Sequence, residues 1–244
     1  MNTKQVELIN VSYHYSGQIA LRKLSVSFRK NQVTAIIGRS GSGKSTILQL
    51  VNGLLMPTSG SISIAGTPLD YKNLSKLRLR IGYAVQGNGL FPHLTVEENI
   101  SISGKIEGQN KTNLTKRVDE LLQLLGLPLI YKKKFPYELS GGEQQRVAIG
   151  RALFLNPPLL LMDEPFGALD PVTRAEMQQE ILKIQKIEPR TILMVTHDMR
   201  EAQKLADDIM VLEAGELQQF DSKAMVLQSP VNKNVINLIE ASLS

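Results

Sequence analysis

Residues 38–46, Gly38, Arg39, Ser40, Gly41, Ser42, Gly43, Lys44, Ser45 and Thr46, have the composition and spacing of a loop that holds phosphate. Gly38, Gly43, Lys44 and Ser45 fall on the fixed positions of the pattern Gly, four residues, Gly-Lys-Ser/Thr. Glycines let successive backbone N–H groups turn inward around an anion, and a helix starting there adds its positive end. Lys44 is placed to reach the β- and γ-phosphates of a nucleotide, and the Ser45 hydroxyl to offer an oxygen to Mg²⁺. The flanks agree. Val33, Ala35, Ile36 and Ile37 read as a short buried strand running into the loop, and Ile47, Leu48, Leu50 and Val51 as a helix leaving it.

Two other stretches carry chemistry. Asp163 and Glu164 directly follow the apolar run Leu159, Leu160, Leu161, Met162. A carboxylate at the end of a buried strand beside a phosphate loop suits a Mg²⁺ ligand, so Asp163 is assigned to the metal, directly or through water. Glu164 then faces the γ-phosphate region, where general-base help to an attacking water is worth ~10²–10⁴-fold in rate. In the second stretch, Ser140 N-caps a helix through Val147, Ala148, Ile149 and Leu153, with Gly141 and Gly142 opening it. Ser, two glycines and a bare helix N-terminus make a second anion site. One nucleotide has no need of two separate cradles, but a second copy of the chain could place its cradle on the first copy's nucleotide.

The elements that must position these residues follow from periodicity. Residues 5–11 read as a strand, residues 12–17 as a turn, and residues 24–28 alternate as a half-exposed strand, with a hairpin turn at Arg29, Lys30 and Asn31. Gly53 is a helix stop, residues 57–60 are turn chemistry, and residues 61–65 form another strand. A short strand at residues 81–86 ends in Gln86. Thr95 with Glu98 forms a capping box, and Leu114, Val118, Leu121, Leu122 and Leu125 recur at helical spacing before Gly126. A helix over residues 173–187 buries Met177, Ile181 and Ile184, and residues 191–195 are a buried strand. A hairpin turns at Ala214 and Gly215, and short helices over 222–227 and 231–243 close the chain. Strands and helices alternating around a phosphate loop give an α/β fold with a parallel-sheet core. The predicted layout is one domain over 1–244: core 1–86 and 157–222 including an antiparallel β subdomain, an inserted α-helical subdomain at 87–156, and a tail at 223–244.

Bulk properties narrow the class. The 244 residues suffice for a sizeable core, and 42% hydrophobic with 21% charged is ordinary for a globular chain. There is no cysteine, hence no disulfide framework and no thiolate chemistry. The first residues are polar, no signal-peptide core is present, and no apolar run nears the ~20 residues that span a bilayer. A net charge of +5 leaves nucleic acid in view, yet the basic residues are scattered. The run Lys132, Lys133, Lys134 reads as a solvated loop, and 5% aromatics offers little for base stacking, so no nucleic-acid partner is expected.

The phosphate loop, Gln86, the stretch Leu139, Ser140, Gly141, Gly142, Glu143, Gln144, Gln145, Arg146, the strand ending in Asp163 and Glu164, the run Gly167, Ala168, Leu169, Asp170, and His197 occur in one order. Together they resemble the ATP-binding cassette (ABC) ATPases over essentially the whole chain. The resemblance implies a P-loop NTPase (RecA-like) core, with ATP and Mg²⁺ as cofactors. It implies that Gln86 touches Mg²⁺ and the attacking water and hinges the helical subdomain. It also implies that Ser140, Gly141 and Gly142 bind the γ-phosphate held by another copy, that Asp170 sits at the dimer seam, and that His197 contacts the γ-phosphate. Tyr15 stands where the family carries an aromatic that stacks on adenine, with Tyr13 as its rival.

The likeness further implies an ATP-sandwich dimer and a transmembrane permease docked near Gly89, Leu90, Phe91, Pro92 and His93. A substrate-binding protein would act indirectly, and the chain would sit peripherally on the cytoplasmic face of the membrane. Residues 90–95, 166–174 and 196–199 most resemble bacterial importers of osmoprotectants such as glycine betaine, choline or carnitine. Importers of amino acids or other small polar solutes share much of that wording, and export or lipid transport is the alternative role for the same cassette. Many osmoprotectant ATPases carry a C-terminal regulatory domain; residues 223–244 are too short for one, so regulation of that kind is not expected from them. Rival classes fit less well: Asn232, Lys233, Asn234 and Val235 fail the base-reading motif of a GTPase, and no coiled-coil insertion or second cassette suggests DNA repair or translation.

Overall fold

The computed structural model describes residues 4–87, 89–167 and 169–240; Ala168 and the last residues of the helix predicted over 231–243 lie outside them. In chain order the elements are β1 (Lys4–Tyr15), β2 (Gln18–Arg29), β3 (Val33–Ile37), α1 (Lys44–Val51), β4 (Ser59–Ile64), β5 (Thr67–Pro68), α2 (Leu74–Arg78), β6 (Ile81–Ala84), α3 (Val96–Ile106) and α4 (Lys111–Leu124). Two 3₁₀ turns follow, Leu129–Lys133 and Pro136–Glu138. Then come α5 (Gly141–Leu153), β7 (Leu159–Asp163), α6 (Pro171–Ile187), β8 (Thr191–Thr196), α7 (Met199–Leu205), β9 (Asp208–Glu213), β10 (Glu216–Ser222), α8 (Lys223–Gln228) and α9 (Lys233–Glu240). The chain divides into two compact units, one of residues 1–74 and 190–244, the other of residues 75–189. The helices α3, α4 and α5 belong to the second.

In the first unit, β1 pairs antiparallel with β2 and β4 in the order β2-β1-β4-β5. The register sets Val6 against Phe28 and Ile64, and Leu8 against Val26 and Ile62. All six are buried, so alternate residues supply one apolar face. Strands β1 and β2 run longer than their alternation suggested. The turn between them is only Ser16 and Gly17, and Tyr15 is still strand, paired with Gln18. The predicted hairpin at Arg29 is also corrected, because β2 and β3 belong to different sheets. An Arg29 Nε to Asp208 Oδ2 bond of 2.8 Å instead ties β2 to β9.

The second sheet of this unit runs β10-β9-β3-β8. Every residue of β3 and β8 is buried, the run expected of strands covered on both faces. β3 lies parallel to β8, from Val33 opposite Ile192 to Ile37 opposite Thr196. It is parallel to β9 as well, from Thr34 opposite Asp208 to Ile37 opposite Val211. Parallel strands deliver their C-terminal ends to one edge, where open α/β sheets bind ligands.

In the second unit, β6 and β7 are parallel, from Ile81 opposite Leu159 to Ala84 opposite Met162. Helices α3, α4 and α5 fold around Val96, Ile100, Val118, Leu121, Leu122, Val147 and Ile149, all fully buried. The capping box of Thr95 and Glu98 starts α3 as predicted. The lysine run is partly ordered: Lys132 Nζ donates to Asp119 Oδ1 at 2.7 Å, and Lys134 Nζ lies 3.5 Å from the Tyr131 ring centroid.

Candidate functional site

The phosphate loop leaves β3 at Ile37 and opens α1 at Lys44. Two glycines are fixed by space. A Cβ on Gly38 would stand 2.0 Å from the Leu212 carbonyl oxygen, and one on Gly43 would stand 2.5 Å from that of Ala20. Gly43 also has φ +98, a conformation that favours glycine. Lys44 Nζ donates to the carbonyls of Gly38 and Arg39, each at 2.8 Å, and so draws the loop into a ring. Arg39, Ser40 and Gly41 face solvent, while Ser42 and Thr46 are buried and Ser45 is half-buried.

Two observations fit an anion here. The Ser42 hydroxyl is buried with no hydrogen-bond partner among the described residues. Helix α1 starts on Gly43 with no side-chain cap and no acidic residue in its first turn. By contrast, α3, α4, α5, α6, α7 and α8 are each capped by a side chain. The positive end of α1 is left uncompensated by its own sequence, an arrangement that suits a bound anion.

His197 and Tyr15 lie in the same unit. Because Ile37 pairs with Thr196, Gly38 and His197 leave neighbouring strands side by side, at a strand spacing of about 4.8 Å. The Asp198 N–H donates to Thr196 Oγ1 at 3.1 Å, which fixes the chain on either side of an exposed His197. The Tyr15 hydroxyl donates to Gln49 Oε1 at 3.1 Å and lies 3.4 Å from Thr46 Oγ1. Its ring meets Tyr13 edge-on at 4.8 Å and is 43% exposed.

In the second unit, Gln86 and Glu164 each lie two residues beyond the paired Ala84 and Met162. Gln86 Nε2 donates to Glu164 Oε2 at 3.1 Å. Asp163 is buried at the end of β7, and Glu164 has φ +47, a left-handed backbone that a side chain rarely adopts. Strain of this kind costs about 1–3 kcal/mol and collects at functional sites. Within this unit the carboxylate of Asp163 and the amide oxygen of Gln86 are hard oxygen donors of the kind Mg²⁺ prefers.

Ser140, Gly141, Gly142, Arg146, Asp170 and Thr173 line one cavity of about 440 Å³. The start of α5 is not bare. The Glu143 carboxylate accepts the Ser140 N–H at 2.7 Å and its hydroxyl at 2.9 Å. Burial opposes the charged form of Glu143, but these bonds and one from Tyr131 outweigh it, and its carboxyl titrates below the usual range. The bare start expected from Gly141 and Gly142 is therefore corrected: Glu143, three residues after Ser140, closes it. Asp170 caps α6 through Val172 N at 3.1 Å and Thr173 N at 3.0 Å. Those bonds, led by Thr173, hold its carboxyl below the usual range.

Two organising residues gave no sequence signal. Asn99, fully buried, takes the Phe91 N–H at 2.8 Å and donates to the carbonyls of Phe91, Leu94 and Thr95. Arg151 donates to the Gly89 carbonyl at 2.8 Å and lies 5.6 Å from the centroid of the Phe91 ring. Together they hold a loop that presents Phe91 at 41% exposure.

Among known families, residues 21–167 match the ABC transporter family. The chain belongs to it. As an ABC ATPase, it is 42% identical over 227 residues to the glycine betaine uptake system ATP-binding protein YehX of Escherichia coli, covering 93% of this chain and 74% of that protein. It is 43% identical over 235 residues to the glycine betaine/carnitine/choline transport ATP-binding protein OpuCA of Bacillus subtilis. That match covers 96% of this chain, which spans 62% of the length of the Bacillus protein. Among solved structures, the dimeric post-hydrolysis state of the cassette MJ0796 bound to ADP and Pi aligns with a TM-score of 0.82 at 34% identity, covering 89% of this chain and 98% of that one. No helix among the described residues is long and apolar enough to cross a membrane.

Proposed function

We propose that this ABC ATPase is the ATP-hydrolysing subunit of a bacterial importer for an osmoprotectant, a quaternary amine of the glycine betaine, choline and carnitine class. The observation that carries hydrolysis is the Gln86–Glu164 contact, with Glu164 strained at the end of a parallel strand. The cargo class rests on the relatives' named substrates.

In this reading residues 38–46 wrap the phosphates, Lys44 neutralises the β- and γ-oxygens, and Tyr15 stacks on the base. Ser45, Asp163 and Gln86 would hold Mg²⁺, which would neutralise charge developing on the phosphates during transfer. Glu164 accepts the proton of the attacking water while Gln86 orients its carboxylate. His197 donates to the γ-phosphate beside Gly38. Two copies face each other so that Ser140, Gly141 and Gly142 of one reach the nucleotide of the other, with Asp170 at the seam. Loss of the γ-phosphate removes that bridge. The loop held by Asn99 and Arg151 presents Phe91 to a cytoplasmic helix of the permease, and a substrate-binding protein delivers cargo on the far side. The ATPase then works at the cytoplasmic face of the membrane, attached through the permease, with residues 87–156 moving about Gln86.

The test is transport. The chain is reconstituted with its native permease and binding protein in proteoliposomes holding Mg-ATP, and labelled glycine betaine, choline and carnitine are offered. ATP-dependent uptake of at least one supports the cargo class. ATP hydrolysis stimulated by an amino acid or another polar solute instead, with no quaternary amine taken up, would overturn it.

A further inference from the structure

Tyr15 ends β1 at the tip of a hairpin whose turn is only Ser16, φ +40, and Gly17, φ +91. A ring there would ordinarily sample several rotamers over an exposed tip. Here its hydroxyl is tied down. It donates to Gln49 Oε1 at 3.1 Å and stands 3.4 Å from Thr46 Oγ1. Thr46 and Gln49 are three residues apart on α1 and so share one face of the helix. That helix begins in the phosphate loop at Lys44, and Thr46 is itself the loop's last residue. A ring fixed to this face is therefore in register with the phosphates. The edge-on ring of Tyr13 at 4.8 Å limits it from another direction, and 43% of Tyr15 still faces solvent.

We infer that Gln49, seconded by Thr46, is a positioning residue for base recognition: it holds the Tyr15 ring at a set distance from the phosphate loop, so that a planar base and a triphosphate are bound together. The inference rests on reading residues 38–46 with Tyr15 as the nucleotide site. Gln49 touches no nucleotide in this account. It reduces the rotamer freedom that binding would otherwise remove from Tyr15, and preorganisation of that kind strengthens binding of the base alone.

The test is calorimetric titration of the full chain with ATP and, as a probe lacking a base, inorganic tripolyphosphate. The variants are Tyr15→Phe, Gln49→Leu, the double variant, and Tyr15→Ala. Tyr15→Phe and Gln49→Leu each weaken ATP about three- to tenfold, the effect of one hydrogen bond, while tripolyphosphate affinity changes by less than about twofold. The double variant is no weaker than either single one, since both remove the same bond. Unchanged ATP affinity in Gln49→Leu would overturn the inference, and so would a parallel loss of tripolyphosphate, which would mean damage to the loop. Failure of the underlying reading looks different: Tyr15→Ala would then bind ATP as well as the unaltered chain does.

Discussion

Gln86 Nε2 lies 3.1 Å from Glu164 Oε2 because both residues stand two positions past the same register pair, Ala84 opposite Met162, on parallel strands. The contact is thus built into the sheet. It hands Glu164 an amide donor that steadies its carboxylate while the left-handed backbone at φ +47 turns the residue off the strand.

Glu164→Gln keeps size and hydrogen bonding but removes the base. Phosphate release from Mg-ATP should fall by about 10²–10⁴-fold with ATP affinity retained. Hydrolysis at the unaltered rate would remove Glu164 from the chemistry.

Lys44→Ala deletes the ammonium that gathers the Gly38 and Arg39 carbonyls. Hydrogen bonds to a charged group contribute about 1.5–3 kcal/mol, so the ATP dissociation constant should rise about ten- to a hundredfold. Titration calorimetry reads this directly, and unchanged binding would undo the loop assignment.

Much of this was legible in the chain itself. The loop at residues 38–46, the helix that leaves it and the acids Asp163 and Glu164 at the end of β7 are local features whose spacing points to their chemistry. The side-by-side exit of Gly38 and His197 was not, since it depends on β3 pairing with β8 across more than 150 residues of sequence. Nor did sequence show that Asn99 is fully buried, because an asparagine in the first turn of a helix reads the same whether it faces solvent or holds a loop. The length of β1 and β2 was missed for a similar reason. Tyr13, His14 and Tyr15 break the alternation, and the pairing absorbs them through register shifts.

Asn99→Ala removes the acceptor of the Phe91 N–H and the donor to the Leu94 carbonyl, while the Phe91 and Thr95 carbonyls keep the backbone N–H groups of Leu94 and Asn99. Each buried group left unmet costs about 1–3 kcal/mol, so urea unfolding of the whole chain should show a loss of at least that size. Permease-stimulated hydrolysis should fall further than basal hydrolysis. A variant as stable as the parent would show that the loop is held by something else.

The two capping boxes make stability depend on acid pH. The Thr95 N–H and hydroxyl lower the Glu98 carboxyl, and Ser140 lowers that of Glu143 against the opposing effect of burial. A carboxyl lowered in the folded state contributes stability that is complete above its unfolded value, about 4.3, and is lost as pH falls through the folded one. Melting temperatures should therefore drop from about pH 5 downward, and Glu143→Gln should flatten that slope. An unaltered slope in the variant would assign the acid sensitivity elsewhere.

Ser140→Arg fills the cavity shared by Ser140, Gly142 and Asp170 without touching the phosphate loop in sequence. ATP binding should persist and hydrolysis should be lost. Normal turnover would deny that this cradle serves a second copy.

The most direct measurement is the mass in solution of the Glu164→Gln chain with and without Mg-ATP. A monomer that becomes a dimer only when ATP is present is expected, because each unhydrolysed nucleotide then bridges one phosphate loop and the partner's Ser140. A monomer under saturating Mg-ATP, alone and together with the native permease, would contradict it.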